Sequence, residues 1–341
     1  MTVSTPDRRE AAPRLARYLD LSGLTARGAQ VTSLTGDASD RRYFRVETPG
    51  LPSQVASVYG GPIEFASLPF AVVGTLLEAM PVPVPRVLAH HDELGIVMLE
   101  DLGDTTLQAR LGTASAGERT DLYHEAVDML ATLQRRGREL ASPTLLPYQL
   151  AFDVQKLSWE LAFFVTHFVE AHRRVSLTAD DRTSLDREFL HICEALAAEP
   201  RVLCHRDYHS RNLMVHRERL VMIDFQDARL GPDTYDLVSL LRDAYVDFTA
   251  DQVQEGIERF LSAVHATSEY RADFRRRFDL MAVQRTIKAL GTFGFQATSR
   301  HNESYLANVP RTLANLRLTL AAAPRYASLR SLLARHIPEL T

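Results

Sequence analysis

The sequence predicts an α+β protein of two lobes, a small sheet carrying one helix followed by a large, mainly helical lobe. Three observations lead there. Turn residues alternate with short β-like runs from Val31 to about Asp104, apolar residues recur at helical spacing from Gly117 onward, and a β-rich polar interruption near residues 202–227 falls inside the helical half. The 341 residues suit two lobes of roughly 100–200 residues each. A linker near residues 102–106 sets the boundary, giving a first lobe at 1–103 and a helical lobe at 104–341.

The runs at 42–48, 54–59, 84–90 and 95–99 are expected strands. The amphipathic stretch 65–80 is an expected helix, which Pro81, Pro83 and Pro85 stop and lead into an extended exit. In the second lobe Leu122, Ala126, Met129, Leu130 and Leu133 share one helix face, and Gly137 is expected to end that helix. Within the interruption, apolar pieces at 202–204, 213–216 and 220–223 each adjoin a polar cluster, which puts charged groups at strand ends. Helical spacing resumes after Pro232, and there is no internal repeat or low-complexity segment.

Composition excludes several functions. The chain has 39 basic and 43 acidic residues, a near balance that argues against a nucleic-acid binder or a polybasic membrane anchor. No run approaches the roughly 18 apolar residues of a membrane span, the start is too polar for a signal peptide, and Cys193 and Cys204 supply neither a disulfide framework nor a metal set. The expectation is a soluble cytoplasmic monomer with no nucleic-acid or membrane partner. Only two of the basic residues are lysines, Lys156 and Lys288. That rules out a Walker A loop, so a nucleotide site in the first 150 residues must neutralise phosphate with arginine, metal or backbone amides.

The segment His205-Arg206-Asp207-Tyr208-His209-Ser210-Arg211-Asn212 holds His, Arg, Asp and Asn in the spacing His-Arg-Asp-x-x-x-x-Asn, and Asp224-Phe225-Gln226-Asp227 follows at a strand end. Phosphoryl transfer from ATP needs a carboxylate to orient and deprotonate the acceptor hydroxyl, and oxygen ligands for Mg²⁺ on the phosphates. Asp207 can supply the first, and Asn212 with Asp224 the second.

From about Val31 to Pro310 the chain resembles the aminoglycoside phosphotransferase and choline kinase branch of the protein-kinase-like bilobal fold. The resemblance implies ATP and Mg²⁺ as cofactors, Asp207 as catalytic base, and Asn212 and Asp224 as magnesium ligands. It matches Asp236, in Gly231-Pro232-Asp233-Thr234-Tyr235-Asp236-Leu237, to a buried aspartate that braces the catalytic loop; a helix N-cap is the plain alternative. It makes Gly36-Asp37-Ala38-Ser39-Asp40-Arg41-Arg42 the turn over the phosphates, with Ser39 close to them, and Val97-Met98-Leu99-Glu100-Asp101-Leu102-Gly103 the hinge whose backbone at Glu100 and Leu102 pairs with adenine; an apolar strand ending in a polar turn is the alternative. Protein kinases carry a phosphate-holding lysine on the third strand, where this chain has Ser57. Arg42 and Arg45, on opposite faces of the neighbouring strand, are the expected substitutes, since a guanidinium can grip two phosphate oxygens.

Within that branch, Ser39-Asp40-Arg41-Arg42-Tyr43-Phe44-Arg45, His205-Arg206-Asp207-Tyr208, Asp224-Phe225-Gln226-Asp227-Ala228 and Met281-Ala282-Val283-Gln284-Arg285 look most like the anomeric N-acetylmuramate/N-acetylglucosamine 1-kinases of bacterial cell-wall recycling. The resemblance implies an amino-sugar acceptor phosphorylated at its C1 hydroxyl. Gln226 departs from the glycine of related kinases and implies a fixed magnesium loop. Other acceptors (choline, an amino alcohol, an aminoglycoside) and a non-catalytic nucleotide-binding regulator are the alternatives. His205 is expected to anchor the catalytic loop, while His209 and Asp227 can touch the sugar. Gln284, Arg285 and Lys288 share a helix face that is either solvated or turned to the sugar, with Arg285 or Lys288 meeting it. Trp159 and Phe163 are expected in the core, and Arg275-Arg276-Arg277 on a solvated face.

Overall fold

In the computed structural model, which describes residues 10–34 and 41–341, helix α1 (Ala11–Leu21) leads into β1 (Gln30–Leu34), β2 (Arg42–Glu47), β3 (Gln54–Val58), α2 (Pro69–Ala79), β4 (Val87–His91) and β5 (Ile96–Glu100). Then come α3 (Leu107–Leu111), α4 (Ala116–Glu139), α5 (Leu146–Gln149), α6 (Val154–Phe164) with a π-helical extension (Val165–His172), and α7 (Ala179–Ala197). Four short strands follow: β6 (Arg201–Cys204), β7 (Leu213–His216), β8 (Arg219–Met222) and β9 (Arg229–Pro232). The chain closes with α8 (Tyr235–Leu241), α9 (Ala250–Ala263), α10 (Ser268–Ser299), α11 (Val309–Ala321) and α12 (Ala327–Ala334). No helix among the described residues is long and apolar enough to cross a membrane.

The first compact unit runs to Thr105 and also takes in Met214–Gln226. Its antiparallel sheet has the order β1-β2-β3-β5-β4. Alternation along β2 sends Phe44 and Val46 into a core with Ala56, Val58, Ile96 and Met98, which α1 closes with Leu15, Tyr18 and Leu19. The helix α1 has no counterpart among the sequence expectations. The strand expected from residue 84 begins only at Val87, because Pro83 and Pro85 have no N–H to give a ladder. The hairpin β7–β8 turns through Arg217 and Glu218, both left-handed at φ 50° and 63°, the requirement of a two-residue type I′ turn. Met222 N donates to Pro83 O at 2.8 Å and Val215 N to Thr105 O at 2.8 Å. The sequence boundary at 103/104 therefore changes: those bonds, and an apolar cluster of Leu102, Met214 and Val221, tie the hairpin to the sheet unit.

The second unit, Thr106–Leu213 with Asp227–Thr341, is helical around the 32-residue α10. Here β6 pairs antiparallel with β9, a strand too short and too polar to be foreseen. Gly137 lies inside α4 and does not end it; a Cβ there would sit 3.0 Å from Leu203 Cβ, so the glycine admits β6. Arg277 is buried against the fully buried Asp233 instead of facing solvent, and Trp159 is 53% exposed instead of in the core. Gly291 and Gly294 let α10 approach the end of α6 and its π-helical extension. A Cβ at Gly291 would lie 2.8 Å from Phe164 Cα, and one at Gly294 would press into the His167 carbonyl.

Gly294→Ala is expected to lower stability by about 1–3 kcal/mol through overpacking against main chain, exceeding the roughly 1 kcal/mol helix-propensity gain of alanine. Denaturant unfolding reads the result, and an unchanged or raised midpoint would show that the backbones can part there.

Candidate active site

The loop after β6 is held at nearly every residue. Asp236, fully buried in the first turn of α8, accepts from His205 N at 2.6 Å and Arg206 N at 3.0 Å. It braces the loop and is not an N-cap, a position that Thr234 occupies. Arg206 is thereby held at φ 88°, left-handed backbone that a residue with a Cβ seldom adopts. Asp207 N donates to His205 Nδ1 at 3.2 Å, so His205 shapes the loop from within. The Tyr208 hydroxyl, fully buried, reaches Ala126 O on α4 at 2.7 Å. Ser210 N donates to Asp243 at 2.9 Å, and Gln108 N to Ser210 O at 3.0 Å. Asn212 Nδ2 donates back to Asp207 O at 2.9 Å.

Helix α10 brings cations to the Asp207 carboxylate. Lys288 Nζ lies 2.9 Å and Arg285 NH1 3.7 Å from its Oδ1, while Arg206 Nε lies 3.8 Å from Oδ2. Burial alone would raise the Asp207 carboxyl, but Lys288 first, then Arg285 and Arg206, hold it well below the usual carboxylate range. Burial also drives the neighbouring His209 imidazole down to about 3, so it stands neutral. The face expected to be solvated or turned to a sugar divides. Gln284 is fully buried and donates to Glu160 at 2.9 Å, whereas Arg285 and Lys288 converge on Asp207. Asp227 is exposed and accepts from Arg206 NH1 at 2.5 Å.

In the sheet unit, Asp224 is exposed at φ 62°. Phe225 fixes it from behind, stacked on Phe70 at 5.0 Å between ring centres and resting against Gly74 of α2. Gln226 Nε2 donates to Asp224 Oδ1 at 2.8 Å, the restraint expected of a glutamine at this place. Among the described residues no group of three or more His, Cys, Asp or Glu could hold a metal by itself. Magnesium carried on nucleotide phosphates asks less, one or two protein oxygens. In the sheet unit Asp224 offers a carboxylate of this kind, and in the helical unit Asn212, whose nitrogen is used on Asp207 O, offers an amide oxygen.

The nucleotide-binding expectations separate. Ser39 lies outside the described residues. Arg45 is engaged by Asp101, at 2.7 and 3.0 Å, and by Asp104 at 3.0 Å, which fills its fork and removes the ground for giving it a phosphate. Arg42 is exposed on the other face of β2. The amide of Glu100 donates to Arg86 O at 2.9 Å and its carboxylate pairs with Arg86, while Leu102 O meets His216 Nδ1 at 3.2 Å. The residue that sequence reasoning passed over is Arg41. Its guanidinium lies 5.8 Å from the Tyr43 ring and 5.7 Å from the Tyr59 ring, within electrostatic reach of Asp224. Tyr43 pairs with Ser57 across the ladder, so alternation alone sets Arg41 on the side where a kinase lysine would stand.

Known proteins resemble the chain in sequence and in fold. The model of the phosphotransferase enzyme family matches residues 30–274, and the chain belongs to that family. It is 33% identical to an N-acetylmuramate/N-acetylglucosamine kinase of Pseudomonas aeruginosa, over 90% of this chain and 88% of the relative. It is 34% identical to a protein of the same name from Neisseria meningitidis, over 90% of each. In structure it is similar to a choline/ethanolamine kinase family protein from Mesorhizobium loti (TM-score 0.61, 17% identity, 96% and 98% of the chains). An ADP-bound aminoglycoside phosphotransferase is similar as well (TM-score 0.59, 14% identity, 89% and 97%). These likenesses establish the protein-kinase-like fold.

Asp236→Ala is expected to destabilise the protein by about 1–3 kcal/mol for each N–H left buried and unpaired. Asp236→Asn, which keeps one acceptor oxygen, should cost less. Equal unfolding midpoints for wild type and Asp236→Ala would remove the brace.

Proposed function

We propose that this chain is an ATP- and Mg²⁺-dependent kinase that phosphorylates the anomeric hydroxyl of N-acetylmuramate, N-acetylglucosamine or both. The observation that carries the reading is the Asp207 carboxylate, fixed by a fully braced loop in a chain whose relatives of that name span nine-tenths of its length. A carboxylate ringed by three cations is a weak base. It suits the anomeric hydroxyl, the most acidic of a sugar because the ring oxygen withdraws electrons from C1. The same cations disfavour a cationic acceptor such as choline or an aminoglycoside.

In this reading Asp207 orients the C1 hydroxyl and takes its proton as the oxygen attacks the γ-phosphorus. The bond from that phosphorus to the β,γ-bridging oxygen breaks, ADP leaves, and the proton passes from Asp207 to solvent, giving the sugar 1-phosphate. Asn212 and Asp224 are the protein oxygens for magnesium, which when bound screens the phosphate charge. Arg41 takes the place of the absent strand lysine. His209 and Asp227 line the approach of the sugar, and the backbone at Glu100 and Leu102 meets adenine.

The deciding assay incubates the protein with ATP, Mg²⁺ and each amino sugar and follows ADP, with phosphorus NMR to locate the new ester. Sugar-dependent ADP release and an ester at C1 are expected; release indifferent to sugar would end the proposal. Asp207→Asn should lower kcat by about 10²–10⁴ while ATP affinity persists. Arg41→Ala should raise KM for ATP about ten- to a hundredfold, as for loss of hydrogen bonds to a charged group of about 1.5–3 kcal/mol, and leave KM for the sugar unchanged. An unchanged KM for ATP would remove Arg41 from that role.

A further inference from the structure

Within the kinase reading, the base is not idle in the resting protein. Its Oδ1 is paired at 2.9 Å with Lys288, one of only two lysines in the chain, with Arg285 behind it at 3.7 Å. An ammonium on Oδ1 occupies one of the two carboxylate oxygens and weakens the other as a base until the pair loosens. Beside this pair, within the helical unit, lies a cavity of about 100 Å³ lined by Asp207, His209, Arg242, Asp243, Arg285 and Lys288 among others.

The lining is cationic in effect. Asp243 spends one oxygen on Ser210 N and the other on Tyr245 N, each at 2.9 Å. Asp207 is covered by its own cations. Arg285 and Lys288 are left as the charges facing this small space. The buried His209 Nδ1 and Arg242 Nε have no hydrogen-bond partner among the described residues. A polar lining of that kind is incomplete without a ligand that accepts hydrogen bonds.

We propose that this cavity receives a carboxylate-bearing branch of the acceptor sugar and that Lys288 exchanges Asp207 for that carboxylate, so that an anionic acceptor frees the base that phosphorylates it. The inference rests on the sugar-kinase reading and adds a specificity determinant to it. The two sugars in the relatives' names differ by this group: N-acetylmuramate carries a lactyl ether ending in a carboxylate, and N-acetylglucosamine a hydroxyl. A neutral acceptor offers Lys288 nothing, and the Lys288 to Asp207 pair then has to break unaided.

The test is a cycle of two proteins and two acceptors: wild type and Lys288→Met, each with N-acetylmuramate and with its neutral methyl ester. In wild type the ester should lose at least tenfold in kcat/KM against the acid, a coupling of about 1.4 kcal/mol. In Lys288→Met acid and ester should be used alike, and Lys288→Arg should restore part of the difference. Equal use of acid and ester by the wild-type protein overturns the inference without any variant having to fold. So does a Lys288→Met protein that keeps the full preference. Turnover of N-acetylglucosamine with either outcome leaves the kinase reading standing, whereas wild type inert toward both sugars overturns that reading and the inference with it.

Discussion

The active loop depends on one buried carboxylate. Asp236 receives two successive backbone N–H groups, from His205 and Arg206, and so imposes the left-handed turn at Arg206. That turn presents Asp207 outward. Without those two bonds a non-glycine residue has no reason to stay at positive φ, and the remaining contacts of the loop have nothing to refer to. Burial raises the Asp236 carboxyl, opposed by His205 and the two N–H donors, so the brace is itself held under electrostatic load. The same logic recurs one turn on, where buried Asp243 collects the N–H groups of Ser210 and Tyr245. Two buried acids, Asp236 and Asp243, therefore fix the loop that carries Asp207.

The sequence carried the catalytic grammar and lost the details set by tertiary packing. Asp207, Asn212 and Asp224 stood out as candidates because their spacing is chemical: a carboxylate after β6, an amide just before β7 and a second carboxylate after β8. Asp236 was readable as a brace through the family resemblance alone, since its partners are main-chain groups some thirty residues away. Arg45 misled because strand alternation gives a face but not a neighbour; Asp101 and Asp104, far along the chain, claim it. Arg41 was hidden at the edge of the expected strand. Its surroundings, Tyr43 and Tyr59, come from two different strands. Trp159 and Arg277 failed in opposite directions for one reason, that residue type is a weak guide to burial when a single partner decides it. Lys156 lies over the indole at 4.0 Å, and Asp233 neutralises the arginine.

The scarcity of lysine acquires a structural meaning. Arginine serves where a planar fork has to satisfy several acceptors at once, as Arg45 does with Asp101 and Asp104 and Arg206 with Asp227. Of the two lysines, Lys156 covers the Trp159 ring and Lys288 sets a compact, re-aimable charge on the Asp207 carboxylate. A guanidinium at 288 would hold Asp207 in a more rigid geometry, and a shorter side chain would leave the carboxylate to Arg285 and Arg206.

Gly291 and Gly294 give that arrangement its limits. Because α10 touches the end of α6 and its extension backbone to backbone, the helix has no slack along that contact. The place of the Lys288 backbone is thus set by main-chain geometry, and its ammonium moves by its own side-chain rotations. A substitution at 285 or 288 therefore changes what reaches Asp207 through the length and charge of the new side chain, not through a shift of the helix beneath it.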